Sequence, residues 1–434
     1  MNNDENRKIL DVCIVGDGFA GLNCARLLAK KSIKCEIFSK GYGASQLWVG
    51  TFDFLNYEGG SLQNAYSRFI NDFPDHPYKY LSYDEVKQSF NEFFQEFPGF
   101  NYFLEHDNFV NKQVLTLIGN LKPCIGIWHS IFNEFDELSP DTTILLIDFH
   151  EFNNSAMYLV KKGLESKYES IFSIVKLSFT EVLTCWGIGK DDKELDNLSD
   201  FRIGNFFDSN YENLRPFCEY LQDQVKKSYP DLEQGRVKYI LFPPILGIDK
   251  NSQIIKSLGK LLGIPCREVV AFSPSLMSKR LMKIFDSKID SYSITRNKRL
   301  ELVDLKIAKN EGKRVWQLIF KNSKGDEKII FSNYVIFAIG SVFKTGLFES
   351  KHNLELKLKN LDIQIPNNFS SNFEIQFSNG TTESGLFACG AASYVLCENL
   401  DDDLEIKYGA GLGLAISTSF RISNYISDKV QKEF

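Results

Sequence analysis

The sequence predicts an α/β protein in which a parallel sheet with a β-meander is interrupted by an inserted α+β domain. Three observations carry that expectation. A glycine motif joins an apolar run to an amphipathic run near the start of the chain, glycine-terminated apolar strands recur near its end, and a long aromatic-rich, glycine-poor stretch lies between them. At 434 residues the chain exceeds the size at which one hydrophobic core stops growing, so two domains are expected.

Residues 11–21 read Asp11-Val-Cys-Ile-Val-Gly16-Asp-Gly18-Phe-Ala-Gly21, and a helix-like run, Leu22 to Lys30, follows. Strand, G-x-G-x-x-G turn and helix start thus stand in the order a dinucleotide site requires, and a second strand, Cys35 to Phe38, closes a βαβ unit of about 30 residues. This is the Rossmann-like arrangement. Gly16 turns the chain without a Cβ clash, Gly18 lets a pyrophosphate approach the backbone at the positive end of the helix, and Gly21 lets that helix pack on the strand. Asp17, Phe19 and Ala20 share the loop and are candidate cofactor-binding residues with the glycines. FAD and NAD sites usually end the second strand in an acid that holds the adenosine ribose hydroxyls. Here that position is the neutral Ser39, followed by Lys40. The next loop, Gly41 to Thr51, is rich in glycine and small polar residues and adds Ser45 and Gly50 to the candidates.

Residues 57–75 look helical and polar. From 76 to 275 helical patterns (Glu85–Phe97, Ser155–Glu165, Asn213–Lys227) alternate with strand-like runs (Thr143–Ile147, Val237–Phe242). The expected division is therefore 1–75 and 276–434 for the nucleotide-binding domain and 76–275 for an inserted cap or substrate domain. The pattern reverts near Pro274. A helix over Leu276–Phe285, bearing Lys279, Arg280 and Lys283, reads as a core helix. Arg296-Asn-Lys298-Arg299 reads as solvated turn residues. Period-2 segments at Arg299–Ile307, Arg314–Phe320 and Glu327–Phe331, separated by turn signals, predict the meander. An apolar strand, Tyr334–Ala338, then stops at Gly340.

Three segments together point to a flavin. Beside the first glycine turn stand the strand end with Ala338 and Gly340, and Gly385-Leu-Phe-Ala-Cys389-Gly390-Ala391-Ala392, followed by Tyr408-Gly409-Ala-Gly411-Leu412-Gly413 opening a last apolar helix. A helix N-terminus with free N–H groups stabilises the negative charge that reduction places near flavin N1 and O2. Ala391 stands where related flavoproteins commonly place an aspartate. With Ser39, this departure leaves FMN open beside FAD.

Net charge of −6 gives no electrostatic footprint for nucleic acid. The nine cysteines form no C-x-x-C pair, which fits neither a disulfide framework nor a metal or iron–sulfur site; Cys389 and Cys397 read as buried structural thiols. The N-terminus lacks the apolar region of a signal peptide and no run is long enough to span a membrane, so a cytoplasmic protein is expected, with membrane contact only through a partner. Of the five histidines, His129 and His150 lie in the expected cap, and no catalytic acid or base is assigned.

Several segments resemble the B subunit of anaerobic glycerol-3-phosphate dehydrogenase. They are Val15 to Leu22, Ile37 to Gly41 with the loop Ser45 to Leu55, Phe242-Pro-Pro-Ile-Leu-Gly-Ile248, and Gly263-Ile-Pro-Cys-Arg267-Glu268 on to Ser275. The resemblance implies a flavin-dependent redox subunit that works beside a larger FAD subunit and an iron–sulfur subunit at the inner face of the cell membrane. It also implies a small phosphorylated polyol substrate, sn-glycerol 3-phosphate, oxidised to dihydroxyacetone phosphate with electrons passed toward quinone. Arg267 and Glu268 stand in a well-matched segment and are further candidates for the chemistry. The acidic run Cys397 to Glu405 departs from the family and reads as a solvated loop or a docking surface for a basic partner. Two other readings stay open: a stand-alone flavin oxidoreductase of another small substrate, and a non-catalytic Rossmann-like scaffold.

Overall fold

The computed structural model describes residues 8–41, 43–55, 61–152, 155–188, 198–232, 234–340, 361, 370–377, 384–395 and 410–432. In chain order the elements that matter are β1 (Ile9–Val15), α1 (Phe19–Lys30), β2 (Cys35–Ser39), α2 (Tyr83–Glu96), β3 (Thr143–Phe149), α3 (Met157–Glu165), β4 (Ile171–Leu177), α4 (Phe179–Cys185), α5 (Asp200–Ser209), α6 (Arg215–Ser228), β5 (Val237–Phe242), α7 (Asn251–Leu262), β6 (Cys266–Glu268), α8 (Leu276–Ser291), β7 (Thr295–Lys298), β8 (Glu301–Asn310), β9 (Lys313–Lys321), β10 (Glu327–Phe337), β11 (Leu386–Ala388) and α9 (Ala410–Lys432).

A seven-stranded sheet runs β7-β2-β1-β10-β9-β8, with β11 pairing β10. Strands β7, β2, β1, β10 and β11 are parallel, while β8, β9 and the first half of β10 form the antiparallel meander. The expected meander strand Glu327–Phe331 and the apolar strand Tyr334–Ala338 are in fact one strand, β10. Its first half is a meander hairpin and its second half is buried on both faces between β1 and β11, as an apolar parallel strand must be. Ser332 and Asn333 interrupt the apolar pattern without ending the strand, and the Ser332 hydroxyl is satisfied by the carbonyls of Leu10 and Tyr334.

On one face of this sheet α1 is buried almost all round because α9 and α2 cover it. Small residues let the three helices approach: the Asn23 amide donates to Ser419 Oγ at 2.5 Å, and the Ser89 and Ser417 hydroxyls meet at 3.1 Å. Arg26, 1% exposed, lies against the rings of Phe93 and Phe97 and forms a bidentate pair with Glu92. The aromatic stretch around Phe90, Phe93, Phe94, Phe97 and Phe100, expected in the inserted domain, therefore shares the core of α1 and β1.

A second sheet, β4-β3-β5-β6, is wholly parallel and has its own apolar cores. The α+β texture expected for the insert resolves here into strands alternating with α3 to α7. The two sheets are tied by a buried ion pair. Glu268, at the end of β6, meets Arg280 of α8 at 2.7 Å, both side chains being 0% exposed. Ser130, the Leu246 N–H and Asn251 also donate to Glu268, and the Gly247 carbonyl accepts from Arg280. Every charge in this knot has partners, which is the condition under which a buried pair persists.

Candidate functional site: the phosphate turn and its cavity

The first glycine turn is fixed by backbone crowding. Gly16 has φ of +116°, a conformation L side chains rarely adopt, and a Cβ there would lie 2.2 Å from the Ala338 carbonyl oxygen at the end of β10. At Gly21 a Cβ would lie 2.0 Å from the Gly16 oxygen. Gly18 differs: its nearest neighbour would be the Gly43 Cα at 3.6 Å, ordinary contact, so the fold itself does not demand glycine there. Space is left beside the Gly18 backbone. Gly43 in turn has no room for a side chain, since its Cβ would stand 2.5 Å from the Gly18 Cα. The loop after β2 is thereby pressed onto the phosphate turn, and Ser45 arrives with it.

Helix α1 begins after Gly18 with no side chain capping its first N–H groups and no acid in its first turn. Its positive end is thus free for an anion. Beside it a cavity of about 550 Å³ is lined by Asp17, Gly43, Ser45, Lys279, Arg296 and Lys298 among others, a volume within the ~300–1,000 Å³ of ordinary ligand pockets. Ser45 Oγ and Arg296 Nε are buried there without a hydrogen-bond partner among the described residues. Buried polar groups in folded proteins nearly always have one. An uncapped helix N-terminus beside a cavity lined by Lys279, Arg296 and Lys298 suits a phosphate-bearing nucleotide, and the residues present fit such a group.

Asp17 is 7% exposed and its Oδ2 accepts from Arg296 at 3.0 Å. Arg296 also pairs with Asp286 of α8. Burial pushes the Asp17 carboxyl up from its ordinary value, against the pull of Arg296. For Arg296 burial acts downward, but the hydrogen bonds and charges of Asp17 and Asp286 outweigh it and hold the guanidinium up. Desolvation at Asp17 is thus the cost of the pair.

The other candidate positions separate into two groups. Gly390 (φ +63°) ends β11 where a Cβ would meet Ala20 at 2.8 Å, and its N–H donates to Thr418 of α9, so β11, α1 and α9 converge beside the turn. Ala391 begins a short helix there, Gly340 follows β10 with φ of +75°, and Gly411 and Leu412 lie in the first turn of α9. Ser39 is buried at the end of β2, its carbonyl accepting from Leu300. Three positions lie apart. Phe19 turns its ring into the aromatic core, 5.2 Å from Phe285; Lys40 is exposed and paired with Glu301 at 2.9 Å; Gly50 packs against Ile131 and Met277. Gly409, Cys397 and the acidic run to Glu405 fall outside the described residues.

Arg296 is a correction. Expected in a solvated turn, it lies on β7, half-buried, in parallel register with Ile37 of β2. Arg267 and Glu268 are also accounted for by structure: Arg267 pairs with Glu134, and Glu268 belongs to the buried knot. His129 Nδ1 lies 3.1 Å from the Gly99 carbonyl. Cys389 is buried with its sulfur 3.4 Å from that of Cys24, whose thiol is pushed up by burial.

The FAD binding domain family matches residues 11–164, a span that begins at β1 and includes the whole phosphate turn and the Gly43–Ser45 loop. The chain carries an FAD-binding domain. Between the two flavins left open by the sequence, the match is to FAD. Over most of its length this flavoprotein is also similar to the B subunit of anaerobic glycerol-3-phosphate dehydrogenase. The protein of that name from Actinobacillus pleuropneumoniae serotype 5b is 25% identical over 85% of this chain and 83% of its own. That from Mannheimia succiniciproducens is 23% identical over 96% and 98%. Among solved structures, that of Thermovibrio ammonificans THI4 aligns with 97% of this chain and 90% of its own at 11% identity and a TM-score of 0.37. No helix among the described residues is long and apolar enough to cross a membrane.

Proposed function

We propose that this flavoprotein is the flavin-dependent subunit of a complex that oxidises sn-glycerol 3-phosphate to dihydroxyacetone phosphate, passing electrons to an iron–sulfur partner and on to quinone. The observation that supports it most is the similarity to the dehydrogenase's B subunit across both sheets and not only across the phosphate turn. In this reading the backbone N–H groups from Gly18 to Gly21 and the Ser45 hydroxyl hold the phosphates of FAD, and the first turn of α9 turns its N–H groups toward the flavin pyrimidine. FAD supplies a two-electron acceptor for the hydride of a secondary alcohol. The chain supplies position and charge, and the close convergence of β10, β11 and α9 excludes water from that side of the turn. The working form is a hetero-oligomer with a larger FAD subunit, attached to the membrane through a partner.

Anaerobic mixing with sn-glycerol 3-phosphate tests the proposal. The visible flavin band of the chain, alone or with its partner subunits, is expected to bleach. A flavin that stays oxidised in both preparations, while dithionite reduces it, would overturn the substrate and leave the cofactor in place.

A further inference from the structure

The strand-end acid that usually reads the adenosine ribose is replaced here by Ser39, yet the cavity beside it is not short of polar groups. It holds four cations, Lys279, Lys283, Arg296 and Lys298, against two carboxylates, Asp17 and Asp286. Of the carboxylates, Asp17 sits inside the G-x-G-x-x-G itself. Its side chain is reached across the sheet by Arg296, on the strand beyond β2, and that contact spans 279 positions of sequence. Arg296 in turn has a buried Nε without a partner among the described residues, and so does the nearby Ser45 hydroxyl, 94% buried by its 6% exposure.

We infer that Asp17, held by Arg296, does the work of the missing acid: its carboxylate accepts the ribose hydroxyls of the AMP half of FAD, and this pair is what makes the site choose FAD over FMN. The inference rests on the flavin reading above. Three features support it. An aspartate between the first two glycines is the one buried carboxylate beside the phosphate turn among the described residues. A carboxylate is acceptor-only, which matches the two O–H donors of a ribose. The guanidinium is rigid and forked, and its two terminal nitrogens donate to Asp17 and Asp286, which fixes where the Asp17 carboxylate points. Arg296 is accordingly a positioning residue. Lys279 and Lys298 bring further positive charge to the cavity. FMN lacks the AMP half, and nothing it carries requires Asp17.

The test is titration of the apoprotein with FAD and, separately, with FMN, followed by quenching of flavin fluorescence. The native chain is expected to bind FAD more tightly. Asp17→Asn is expected to weaken FAD by about tenfold or more, the loss of a charged hydrogen bond, and to leave FMN within about twofold; Arg296→Gln should show the same split. The unchanged FMN affinity reports that each variant is folded. Equal losses for both flavins, or an unchanged affinity for FAD, would overturn the inference. A native chain that binds both flavins equally would sink the inference while sparing the flavin reading. One that binds neither would sink both.

Discussion

A single methyl group separates two kinds of glycine in the phosphate turn. Gly16→Ala or Gly43→Ala would drive a Cβ to 2.2 Å from a carbonyl oxygen or 2.5 Å from a neighbouring Cα, backbone atoms that cannot swing aside. Each is expected to lower stability by about 2 kcal/mol or more, measured by urea unfolding. Gly18→Ala meets only an ordinary contact at 3.6 Å, so its unfolding midpoint should stay near that of the native chain while FAD retention falls. A Gly18→Ala protein that holds FAD normally would show that the phosphates lie elsewhere. At this scale the sequence was informative where function and neighbours along the chain coincide. The spacing of Gly16, Gly18 and Gly21 declared the turn. Arg296 was hidden in an apparent turn because its partner, Asp17, is close only after β7 has paired with β2. Lys40 and Phe19 show the converse: proximity in sequence to the turn does not carry their side chains into it.

Among the elements, the tie between β6 and α8 has the clearest energetic consequence. Removing the Glu268 charge leaves Arg280 buried with only the Gly247 carbonyl and its neighbours for company. Breaking one side of a buried pair typically costs about 3–5 kcal/mol, and Glu268→Gln is expected in that range by denaturant unfolding. A loss below about 1 kcal/mol would mean that the two sheets do not depend on the knot. Element types were largely legible because period and breakers agree: α6 and β5 stand close to their predicted spans, while α8 starts where expected but runs past Phe285 to Ser291. The continuity of β10 was not, since a buried serine and an asparagine look like a break until their pairing with β1 and β9 is known. The packing of α2 was also illegible. Phenylalanines at helical spacing say that a face is buried, not against which sheet.

For the whole molecule, acid should act on stability before the carboxylates titrate. His76 is held neutral by burial, its folded value lowered from 6.5 to about 3, while its Nδ1 accepts from the Tyr78 N–H. Between those values the unfolded chain binds the proton that the folded chain refuses, so the stabilisation is complete above pH 6.5 and drains away as pH falls. His129 is lowered by burial in the same sense. The carboxyls of Glu92 and Glu268 come into play later: burial acts to raise both, but Arg26 and Lys30, and Arg280, carry them below the ordinary value of 4.5. Their contribution is present above that value and is lost as pH drops through the folded one. The urea midpoint is therefore expected to decline from pH 6.5 toward 4.5, and less steeply in His76→Asn, whose side-chain oxygen can replace Nδ1 as acceptor. An identical slope in the variant would remove His76 from the explanation.

One cofactor joins these scales: the FAD that the domain match indicates and that the phosphate turn suits. The most direct measurement is the mass of the chromophore released when the purified native protein is denatured. FAD is the expected result, at a stoichiometry approaching one per chain. FMN as the released species, or a colourless protein that takes up no flavin on addition of FAD, would contradict the account.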